Sequence, residues 1–70
     1  MAKVVYQAIK RIVDKGGQPH LLVVAALSGE SVELIMDVLD KNSTIARLNS
    51  LNNIITDGWF FHITEEEWNE

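Results

Sequence analysis

Between residues 41 and 53 the chain collects side chains suited to reading a nucleic acid: Lys41, Ser43, Thr44, Arg47, Asn49, Ser50 and Asn53. Asn pairs in a bidentate way with adenine and Arg with guanine, while Ser and Thr reach phosphate oxygens or base edges. Ala46 permits close approach to a groove, and Lys41 beside a helix N-terminus can hold one phosphate. The same residues also make an ordinary solvated face, because Asn and Ser populate caps and surfaces without any ligand.

Other chemistry is sparse. Catalysis requires a convergent acid, base or nucleophile, and the chain offers His20 and His62 with no Ser-His-Asp, His-Glu-x-x-His or Gly-rich phosphate pattern around them. No enzyme activity is expected. His20 follows Pro19 and suits a local polar contact, and His62 alternates with Phe61 and Ile63 along an aromatic run. With no Cys there is no disulfide, thiolate zinc site or cysteine nucleophile, and neither metal nor cofactor is expected.

The formal net charge is −4, yet it is unevenly placed. Four of the ten acids fall in residues 65–70, leaving six acids against six bases in the rest. The expected organisation is a neutral domain over residues 1–64 followed by an acidic tail. Within it, residues 1–17 form an N-terminal helix and residues 18–64 the rest of the domain. Trp59, Phe60, Glu65, Glu66, Glu67 and Trp68 form a second candidate surface, directed at a protein. Trp68 among the acids either anchors a partner or folds back beside Trp59.

The elements that must position these residues follow from periodicity. Val5, Ala8, Ile9, Ile12 and Val13 share one face of a helix over residues 2–15, with a basic side carrying Lys3, Lys10, Arg11 and Lys15; Gly16-Gly17 ends it. Residues 21–27 are a continuous apolar run that periodicity alone assigns to neither helix nor strand. Ala25, Ala26 and Pro19 as a first helical residue favour helix, whereas Val23-Val24 favours strand. Ser28-Gly29-Glu30-Ser31 reads as a turn with a helix stop and an N-cap. Val32, Ile35, Met36 and Leu39 then mark a short helix with Glu33, Asp37 and Asp40 opposite. Ile45, Leu48, Leu51 and Ile55 suggest a longer helix over 43–56, and Trp59 to Thr64 reads as a strand. The fold expected is mainly α, of helix-turn-helix type, with three to four helices and a short C-terminal β strand.

From His20 to Thr64 this order resembles winged helix-turn-helix domains of the MarR-like kind. The resemblance is carried by Leu34-Ile35-Met36-Asp37-Val38-Leu39, then Asn42-Ser43-Thr44-Ile45-Ala46-Arg47-Leu48, then Leu51 and Asp57-Gly58-Trp59. In that family the Ser-Thr-aliphatic-x-Arg-Leu stretch opens the recognition helix, and a Gly plus an apolar residue leads into the wing. The match spans about two thirds of the chain and implies a reduced wing, since one strand follows and acids stand where the family has bases.

The resemblance implies a small DNA-binding transcription regulator that inserts the helix at 43–56 into the major groove and acts by occupying an operator. Its size and sparse basic charge look like those of small phage regulators. With only six bases a monomer neutralises few phosphates, so a homodimer presenting two helices about 34 Å apart is expected. The N-terminal helix is the candidate for dimer contact or for covering the core. The alternative is an acidic protein-binding module of the same shape that modulates a partner such as the transcription machinery. Either would act in the cytoplasm, since no run approaches the ~20 apolar residues of a membrane span and the start lacks the order of a signal peptide.

Overall fold

The computed structural model describes residues 2–56 and 65–68. Its first helix, α1, runs Ala2–Asp14 and buries Ala2, Val5, Tyr6, Ala8 and Ile9, with Ile12 and Val13 packed against the same core. The Gly16 N–H donates to the Val13 carbonyl at 2.9 Å and the Gly17 N–H to the Ile12 carbonyl at 3.0 Å. With Gly16 at φ 80°, this is a Schellman ending, which satisfies the last helical carbonyls.

Helix α2 spans Leu21–Ser28, so the apolar run is helical. Pro19 does not open it. His20 is the N-cap, with extended backbone and with Nδ1 accepting from the Leu22 N–H at 3.1 Å. The extended stretch pairs across the fold, where Leu21 N–H donates to the Asn53 carbonyl and Ile55 N–H to the Pro19 carbonyl, both at 2.8 Å. Gly29, at φ 72°, closes α2 by donating to the Ala25 carbonyl. Ser31 caps α3, Val32–Lys41, through its hydroxyl, which accepts from Leu34 N–H at 3.1 Å.

A two-stranded antiparallel hairpin follows, β1 (Arg47–Asn49) and β2 (Ile54–Thr56), in the register Arg47↔Thr56, Leu48↔Ile55 and Asn49↔Ile54. Alternation turns Leu48 and Ile55 toward the core and Arg47, Asn49 and Thr56 to solvent. The His20–Ile54 bridge adds a third extended segment on the free side of β2. Three helices followed by this hairpin make a winged-helix-like topology.

The helix expected over 43–56 is therefore not there: residues 42–45 are a turn and the rest is the hairpin. The expected helical stripe fails at Leu51, which is 94% exposed at the hairpin tip. Local side-chain bonds explain why. Asn49 Oδ1 accepts from Leu51 N–H at 2.9 Å and Asn52 Oδ1 from Ile54 N–H at 3.2 Å, giving the backbone an alternative to helical bonding. Asn53 takes a left-handed φ of 57°, which Asn tolerates and helices exclude. A two-stranded hairpin thus stands where a helix was expected, and the strand expected at 59–64, with the reduced wing it implied, lies outside the described residues.

Candidate interaction groove between α3 and the hairpin

In this topology the second helix of the α2–turn–α3 pair is α3. Burying Ile35, Val38 and Leu39 turns Glu33, Met36, Asp37 and Asp40 outward. Glu33, Asp37 and Asp40 stand at i, i+4 and i+7, the spacing of one helix face. From Lys41 to Thr56 the chain holds two bases and no acid. An acidic helix thus lies beside a weakly basic hairpin.

The two meet at an open groove of about 210 Å³, lined by Met36, Leu39 and Asp40 from α3, Ser43 and Ala46 from the turn, and Arg47 and Leu48 from β1. Asn42 holds its floor in place. It is fully buried, its Nδ2 donates to the Val38 carbonyl at 2.9 Å, and its backbone N–H donates to the Val38 and Leu39 carbonyls at 3.1 Å. Its own carbonyl accepts from Ile45 and Ala46, which fixes the bend into β1. Arg47 Nε donates to the Ser43 carbonyl at 2.9 Å and so braces that bend. The groove has an apolar floor, a carboxylate on one lip and a guanidinium on the other.

Of the seven nucleic-acid candidates the groove gathers two, Ser43 and Arg47. Thr44 is exposed in the turn, Asn49 is exposed on β1, and Ser50 and Asn53 are exposed in the hairpin loop. Asn49 also receives the Asn53 N–H on its carbonyl at 2.7 Å, so this pair builds the loop. Lys41 stands in the last turn of α3, not at a helix N-terminus. There the helix dipole favours its positive charge, and the helix N-terminus expected beside it is replaced by a turn.

The protein-facing candidates also move. Trp68 is buried at 2% exposure, with its ring 5.8 Å from Tyr6, so it is part of the core and no anchor for a partner. Glu65–Glu67 form a 3-10 turn, and Glu65 accepts from Gln7 Nε2 at 3.1 Å. Glu66 is exposed. Trp59, Phe60 and His62 lie outside the described residues. Met36 and Asp40, which line the groove, are not among the residues singled out from the sequence, although their helical spacing was visible there.

Among the described residues no group of three His, Cys, Asp or Glu is placed to hold a metal ion, and no helix is long and apolar enough to cross a membrane. Comparisons with protein-family models, curated proteins and solved structures find no match to this chain.

Proposed function

We propose that this chain is a protein-binding module of winged-helix-like shape, and that its likeness to MarR-like regulators is one of architecture. The observation that carries this reading is the exposed face of α3, which presents Glu33, Asp37 and Asp40 where a DNA-reading helix would meet phosphates. Affinity for DNA draws on Lys and Arg, and three carboxylates at the contact face oppose it. The same face suits a partner segment with an apolar side chain to enter beside Met36 and Leu48 and with Lys or Arg to meet the acids. Asp40 and Arg47 on opposite lips would fix its direction.

The test is selection from a displayed random-peptide library on the folded protein. Enriched peptides should combine an apolar residue with neighbouring bases, and should be lost on a Met36→Lys, Asp40→Lys double variant. Absence of enrichment, or enrichment that survives this variant, counts against the groove.

A second reading keeps DNA as the partner and moves the contact from a helix to the hairpin. It is favoured by the acid-free stretch from Lys41 to Thr56, on which all seven nucleic-acid candidates are exposed. It requires Arg47→Ala to remove salt-dependent binding to duplex DNA. Regulation of transcription and a cytoplasmic setting belong to both readings as proposals.

A further inference from the structure

Helix α2 has no charged residue, and an apolar helix without a polar side belongs in an interior. Only Leu21 and Val24 of it are buried, on one side. The other side exposes a continuous stripe of Leu22 (62%), Val23 (47%), Ala26 and Leu27 (46%). By contrast α1, expected either to mediate dimer contact or to cover the core, does the second and spends its apolar stripe on the chain's own core.

We infer that this stripe is a two-fold interface between copies of the chain, with the α2 helices antiparallel. The stripe is self-complementary about its midpoint. An axis between residues 24 and 25 sets Leu22 of one copy against Leu27 of the other and Val23 against Ala26, pairing a larger side chain with a small one at the centre. Because α2 carries no charge, it brings no like charges to such an axis, as an isologous contact requires. Beside Leu27 lies a notch of about 130 Å³ formed with Val4, Gln7, Ala8 and Arg11 of α1, and it receives Leu22 of the second copy. The rim carries both signs, Arg11 on one edge and Glu65 bonded to Gln7 on another, so copy can meet copy. An interface of this extent sits at the low end of the protein–protein range, below roughly 1,200 Å² in total. Association is therefore reversible and follows protein concentration. A 70-residue chain without disulfides gains stability from it.

Sedimentation velocity on the full chain over a concentration series tests this, with circular dichroism confirming the fold of each variant. Wild type should pass from monomer to dimer, and Leu22→Lys or Leu27→Glu should each raise the midpoint by about tenfold or more. Mixing the two variants should restore a heterodimer, because the introduced ammonium then meets the introduced carboxylate while the second contact stays Leu against Leu. A wild type that remains monomeric throughout, a dimer indifferent to both substitutions, or a mixture that fails to recover would each overturn the proposal. The stripe shares no residue with the α3 groove, so the outcome is independent of the peptide selection.

Discussion

The indole of Trp68 lies 5.8 Å from the ring of Tyr6 at an interplanar angle of 57°, a tilted aromatic contact that ties the end of the described chain to the first helix. Residues 65–68 are thus bound to the domain. Trp68→Ala should cost about 3–5 kcal/mol, the range for removing a large buried aromatic, while Trp68→Phe should retain most of the stability. Urea denaturation measures both. Truncation after Thr64 should behave like Trp68→Ala, so its effect goes beyond the removal of negative charge. An unchanged midpoint for Trp68→Ala would contradict the packing.

Asn53 distinguishes a hairpin from a helix over 43–56. At φ 57° a Gly is unstrained and an Ala is not, so Asn53→Gly should stay within about 0.5 kcal/mol of wild type and Asn53→Ala should lose about 1 kcal/mol. A helix demands the reverse order, since there Ala exceeds Asn and Gly costs most. Thermal unfolding of the two variants decides it.

Asn42 supplies the bend between the acidic helix and the hairpin, and it is fully buried. Asn42→Ala forfeits the bond to the Val38 carbonyl and should cost about 1–3 kcal/mol. Asn42→Asp should cost more, because a carboxylate would face that carbonyl with no proton to donate. Denaturant unfolding that leaves either variant within about 0.5 kcal/mol of wild type would mean that the bend stands without this side chain.

Helices α1 and α3 were legible because each carried its own signals, a periodic stripe with the Gly16-Gly17 stop in one and a Ser31 cap in the other, whereas the run at 21–27 fitted helix or strand and its cap is His20, not Pro19. The segment after Lys41 was not legible, because Ile45, Leu48 and Ile55 are spaced to fit a helix or a hairpin equally well. What decided between them was turn chemistry. Asn49, Asn52 and Asn53 bond or bend the local backbone, and their number in one short stretch was the available signal. The change of element also rearranges the candidate residues, which a helix would set on one face and which the structure spreads over a turn, β1 and the hairpin loop. The carboxylates of α3 share one helix face that the spacing of Glu33, Asp37 and Asp40 already marked, and Asn49, Asn52 and Asn53 shape the loop that follows β1. The fate of Trp68 depended on tertiary packing against Tyr6, to which no local pattern pointed.

The most direct measurement is fluorescence titration of the pure protein with a pool of random duplex DNA at about 50 mM and then about 200 mM salt, where phosphate contacts must produce a salt slope. A Glu33→Gln, Asp37→Asn, Asp40→Asn variant is titrated beside the wild type. If the acidic face of α3 governs what the fold binds, wild type shows no binding at the lower salt, and the neutralised variant gains weak, salt-sensitive binding. Salt-dependent binding by the wild type that vanishes in Arg47→Ala contradicts that claim and favours the reading in which the hairpin contacts DNA.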